Sequence, residues 1–83
     1  MKTGTVVGRV WATKRIDQLP PGALLEIQLD GKGSERIIAF DPLGCGEGES
    51  VLITFDEAAT RFFPESKAVV DALIVGSLDQ DKG

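Results

Sequence analysis

Residues 23–55 read ALLEIQLDGKGSERIIAFDPLGCGEGESVLITF. The first seven alternate, with Leu25, Ile27 and Leu29 on one side, which is the signature of a half-buried strand. Asp30-Gly31-Lys32-Gly33 is turn chemistry, because glycine accepts positive φ without steric cost. Residues 35–40, ERIIAF, return as a second strand, so the two form a hairpin. A glycine-rich stretch follows, with Gly44, Gly46 and Gly48 spaced by Cys45 and Glu47. Behind it, residues 50–55, SVLITF, read as another strand. The stretch is thus three strands, one tight turn and one loop whose glycines need an explanation.

Upstream, residues 3–13, TGTVVGRVWAT, are rich in Val and Thr and predict a further strand. Strict alternation places Val6, Gly8, Val10 and Ala12 on the core face. Thr5, Val7, Arg9, Trp11 and Thr13 fall on the other. Gly8 inside this run predicts a bend or a close neighbouring backbone. Residues 14–22, KRIDQLPPG, are a loop, since Pro20-Pro21-Gly22 excludes regular structure. Downstream, Asp56 is a suitable N-cap for a short helix, EAATRFF, closed by Pro64 and packed through Ala58, Phe62 and Phe63. Residues 72–78, ALIVGSL, predict a fifth strand, bent at Gly76. The polar tail 79–83 is expected to be disordered. Five short strands with one short helix after the fourth predict an all-β fold, a small closed barrel.

Composition narrows the function. The 83 residues fit one domain spanning 1–83. A chain this size buries only about 60% of its unfolded surface, so support from partner subunits is expected. One cysteine forbids an internal disulfide, and without histidine a zinc site is not expected. The net charge of −4 argues against nucleic acid, whose binders carry a basic face. No apolar run reaches the roughly 20 residues of a membrane span. The opening, MKTGTVVGRVWATKR, lacks the continuous apolar core of a signal peptide, so a cytoplasmic protein with a reduced thiol is expected.

The glycine loop fails as a phosphate cradle. No Lys follows it, the next element is a strand, and Glu47 and Glu49 repel phosphate. Cys45 has no histidine to activate it and reads as a small, partly buried thiol. The carboxylates Asp17, Asp30, Asp41, Glu47, Glu49, Asp56, Glu57 and Asp71 read as solvated loop charges. Two readings of Trp11 stand side by side: an ordinary core residue of a thin barrel, or a subunit interface, where Trp is enriched. Lys14-Arg15 reads as a solvated pair or a partner for a neighbour's carboxylate.

Three segments resemble one family. Residues 6–15, VVGRVWATKR, are similar to the opening of EutN/CcmL proteins. Residues 39–52, AFDPLGCGEGESVL, resemble their glycine signature, and 70–79, VDALIVGSLD, resemble their close. The order is the family's and the span is nearly the whole chain. Trp11, Ala68 and Ser77 depart from the common pattern. The resemblance implies an OB-like five-stranded barrel that assembles as a cyclic homopentamer. Such rings are the fivefold vertices of bacterial microcompartment shells, whose flat hexamer sheets need pentamers to close. It also implies hexameric shell proteins as partners, no cofactor and no catalysis. Gly44, Cys45, Gly46 and Gly48 are then expected in a loop near subunit contacts or an axial pore, and Trp11 at an interface. The alternatives are an OB-type nucleic-acid module, which needs a basic groove with stacking aromatics, and a non-catalytic subunit of an enzyme complex.

Overall fold

The computed structural model describes residues 1–33, 35–63 and 69–79. Its elements are β1 (Lys2–Val10), β2 (Ala23–Leu29), β3 (Arg36–Asp41), β4 (Ser50–Phe55), α1 (Asp56–Thr60) and β5 (Ala72–Leu78). The strands close into a barrel in the order β1-β2-β3-β5-β4. All neighbours are antiparallel except β3 and β5, which run parallel. The expected five-stranded barrel with a short helix after the fourth strand is therefore the observed one.

Alternation fills the barrel from β2, whose Leu25, Ile27 and Leu29 are all buried as expected. Val6, Ala39, Val51, Ile53, Ala72 and Ile74 meet them. Fully burying each large aliphatic contributes on the order of 1.5–3 kcal/mol. A second, smaller core lies on the other side of the wall. There Phe40, Ala59, Val70 and Leu73 pack with Leu19, Leu24 and Phe63. The Phe40 and Phe63 rings meet edge-on, 5.3 Å apart. This outer core fastens α1 and the loop before β2 to the barrel. A backbone bond from the Val69 N–H to the Gln18 carbonyl ties the same loop to the approach to β5.

The barrel closes through two bulges, each beside a glycine that the sequence marks as a bend. In β1 the register passes from Val6↔Ile27 to Gly8↔Glu26, which leaves Val7 as the extra residue. In β5 it passes from Leu52↔Gly76 to Ile53↔Ile74, which leaves Val75. A bulge bends a strand and raises its twist. It also reverses the side-chain phase. Beyond Val7, strict alternation therefore gives the wrong faces: Gly8 and Val10 leave the core side, and Arg9, opposite Leu25, takes it.

Two further expectations are corrected. Asp56 does not cap the helix. Phe55 holds the N-cap position and no side chain caps it. Asp56 itself has φ of 55°, a left-handed conformation that Asp tolerates better than most residues, and its N–H donates to the Asp71 carbonyl. The helix packs through Ala59, while Ala58 and Phe62 are exposed and Phe63 is partly buried. Pro64 and Ala68 lie outside the described residues, as does the tail beyond Asp79.

Gly4 carries a constraint that no local pattern announces. A Cβ there would lie 2.6 Å from Ile27 Cγ2 and 2.7 Å from the Gln28 carbonyl oxygen. β1 and β2 approach so closely that only glycine fits.

Candidate functional site

The loop between β3 and β4 folds over one end of the barrel, and Asp41 organises it. Asp41 stands opposite Ala23 at the end of β3, only 4% exposed. Its Oδ1 accepts the Leu43 N–H at 2.9 Å. Its Oδ2 accepts those of Gly44 and Cys45 at 3.1 and 2.7 Å. Successive N–H groups curled this way form a nest for an anion, and here the chain's own carboxylate fills it. That is the physical reason the loop is no phosphate cradle. It also corrects Asp41, which is a buried structural acid and not a solvated loop charge. Asp-Pro followed by glycine is a turn signal in which the Asp side chain bonds the backbone just ahead of it, so the sequence did carry a trace of this role.

Gly44 and Gly48 have φ of 85° and 90°, conformations that side chains resist. Gly46 does not; a Cβ there would meet only Glu49 Oε1, at an ordinary 3.6 Å. The loop is stitched to β1 by Gly48 N–H to the Val6 carbonyl, 2.8 Å, and Val6 N–H to the Glu49 carbonyl, 3.0 Å. The Glu49 carboxylate accepts the Gly46 N–H and the Ser77 hydroxyl, each at 2.8 Å. Those two bonds, the backbone one first, hold its pKa below the ordinary carboxylate value. Ser77 thus joins β5 to the loop.

Cys45 is half-buried and packs against the barrel core. Burial, and then the nearby Asp41 and Glu49 charges, push its thiol up to about 11. At neutral pH it is a protonated thiol, the form that is neither nucleophile nor ligand. Among the described residues no group of three His, Cys, Asp or Glu is placed to hold a metal ion. The arrangement is a plug, with Cys45 as its apolar tip.

Beside the plug is an open hollow of about 330 Å³, with Arg9, Leu25, Asp41, Cys45 and Glu47 among its lining residues. Arg9 links this end to Trp11, since its guanidinium sits 4.1 Å from the centre of the Trp11 ring. Trp11 is 75% exposed, so the reading of it as a core residue is excluded for the isolated subunit. A stacked cation at an exposed site is worth about 0.5–1 kcal/mol, too little to explain a Trp held in water. Gly44, Cys45, Gly46 and Gly48 share one loop, and Arg9 carries Trp11 to its flank. Alternation puts Arg9 on the outer face and composition puts Asp41 among solvated charges; Arg9 reaches this place only through the bulge at Val7. The Lys14-Arg15 pair divides: Arg15 donates to the Pro20 and Gly22 carbonyls, at 2.6 and 3.5 Å, and so staples its own loop.

A family model described as "Ethanolamine utilisation protein EutN/carboxysome" matches residues 1–79. The bacterial microcompartment shell vertex protein GrpN of Rhodospirillum rubrum is 30% identical, over 95% of this chain and 93% of that protein. The carboxysome shell vertex protein CcmL of Thermosynechococcus vestitus is 30% identical, over 95% and 84%. Among solved structures, the pentameric shell protein MSM0273 from the RMM microcompartment superposes with a TM-score of 0.89. It is 45% identical, covering all of this chain and 98% of that one.

Proposed function

The chain belongs to the EutN/CcmL family, and on that premise we propose that it is a shell vertex protein of a bacterial microcompartment. Five copies form a ring that occupies a fivefold corner of a cytoplasmic shell, where the ring supplies the curvature that flat sheets lack. Residues 1–83 act as one such domain. The observation that carries the reading is the full-length likeness to a pentameric shell protein in both sequence and backbone.

The role is structural, without catalysis. The only thiol is held protonated, and the loop nest that would hold an anion is filled by Asp41. Hexameric shell proteins are the partners at the ring's rim. Trp11 lies at the interface between subunits, and the loop with Gly44, Cys45, Gly46 and Gly48 lies close to subunit contacts. The support is the exposure of Trp11 and its link through Arg9 to the hollow that this loop borders. Glycines at an exposed mouth leave room for a neighbour's backbone.

Native mass spectrometry tests the reading. The expected result is five times the 8.8 kDa chain mass. Trp11→Ala is expected to shift the population toward single subunits whose melting is close to that of a parent monomer. A parent chain that stays monomeric at micromolar concentration overturns the proposal.

A further inference from the structure

A cyclic ring uses heterologous contacts, so each subunit offers its neighbours two different patches. Trp11 supplies one. We propose that the other is the seam between β3 and β5, and that it receives the Trp11 segment of the next copy; the inference rests on the pentamer reading above.

The seam is the least paired junction of the barrel. Among the described residues, β3 and β5 share a single register pair, Phe40↔Leu73. The parallel strands are staggered, so β3 before Phe40 and β5 after Leu73 run past each other's ends. Unpaired strand edges are places where another chain docks. Exposed apolar side chains gather there, with Ile38 at 53% and Val69 at 55%. Both line a hollow of about 230 Å³, floored by Leu24, Phe40 and Val70. A flat indole has the shape and apolarity for such a slot, and Trp anchors seated in pockets dominate many interfaces.

Charge and position favour a second copy as the occupant. Residues 9–15, RVWATKR, hold three cations and no carboxylate in a chain of net charge −4. Asp71 lines the slot. The adjoining hollow, which shares Ile38 and Asp71 with it, adds Glu35 and Asp56 against the single cation Lys2. Beside it Glu26 and Arg36 cancel as an ion pair of 3.7 Å. A basic knob thus has an acidic rim to meet, which favours correct docking over competing arrangements. In the barrel order, β1 neighbours β2 and β4, while the β3–β5 seam lies across from it. The slot's floor extends to β2, where Leu24 pairs with Val10 next to Trp11, yet knob and slot are two different patches, as head-to-tail packing requires.

The test uses two variants on a Cys45→Ala background: Ala12→Cys, beside the knob, and a size-tagged Val69→Cys, in the slot. Refolded together and treated with a short bis-maleimide, they are expected to give a cross-linked heterodimer, and neither variant alone a cross-linked pair. Mixed rings of fivefold mass without that heterodimer overturn the slot and leave the pentamer standing. A parent chain without fivefold mass overturns the pentamer instead. A second measurement covers variants that fail to assemble. Arg9→Asp is expected to weaken assembly about tenfold, and adding Asp71→Arg in the same chain to restore most of it. Failure of that rescue also overturns the slot.

Discussion

The plugged end of the barrel and the β3–β5 seam treat their exposed groups in opposite ways. At the plug the polar groups are bonded to one another: Asp41 to three loop N–H groups, Glu49 to Gly46 and Ser77, Gly48 to Val6. At the seam the strands barely pair, and Ile38 and Val69 face water. The same contrast separates Asp41, a buried carboxyl bonded to three loop N–H groups, from Trp11, a large apolar ring left outside. Self-satisfied regions are the ones a subunit needs to fold. Regions with unmet apolar surface are the ones it needs to assemble. Substitutions that break the plug's internal bonds should therefore change subunit stability, and those at the flanks should change assembly.

The strongest way to break this division is Asp41→Ala. It removes the acceptor of three part-buried loop N–H groups, and each such hydrogen bond contributes about 0.5–1.5 kcal/mol. The expected loss of subunit stability is about 3 kcal/mol, read as a lower midpoint in urea. A loss below about 1 kcal/mol would mean that water replaces the carboxylate and that the plug is not self-contained. A smaller effect sharpens the comparison within the loop itself. Gly44→Ala forces a side chain into φ of 85° and is expected to cost about 1–2 kcal/mol. Gly46→Ala is expected to change subunit stability by less than about 0.5 kcal/mol, since its backbone is ordinary and its Cβ meets only a carboxylate tip. Equal losses at the two positions would show that φ is not what selects glycine here.

The smallest expected effect concerns pH. The folded pKa of Cys45 is raised from about 9 to about 11. The unfolded chain thus ionises first, so the thiol's contribution is intact below pH 9 and declines as pH rises toward 11. Urea midpoints should fall over that window in the parent and fall less in Cys45→Ala. Glu49 has the opposite sign. Its depressed pKa gives stability that is present above the ordinary carboxylate value and lost as pH falls below it. Identical alkaline slopes in parent and variant would remove Cys45 from the plug.

Much of the architecture was legible in the residues. β2, β4 and β5 follow from apolar alternation bounded by turn residues, and their ends fall where composition changes. Gly8 and Gly76 mark the bulges correctly. What failed, failed for identifiable reasons. Alternation counts by two, so the extra residue at Val7 reverses every later assignment in β1. Asp41 looks like any loop carboxylate until the chain ahead of it curls back. Gly4 is fixed by a neighbour more than 20 positions away, and the β3–β5 seam by pairing across the whole second half of the chain. The candidate site was legible as a loop and as an outlying Trp. Their shared neighbourhood was not, because Arg9 joins them only in three dimensions.

Trp11 is the chain's only Trp, there is no Tyr, and the ring lies outside both hydrophobic cores. Excited near 295 nm, the protein therefore has one emitter, and that emitter barely senses whether its own barrel is folded. An isolated subunit should fluoresce at the long wavelength of a hydrated indole, much as its denatured chain does. Seating the ring in a neighbour should move the emission to the blue. The molecule thus carries an intrinsic optical gauge of association that is nearly blind to folding, so the two equilibria can be read on separate channels, emission for the ring and far-ultraviolet dichroism for the barrel.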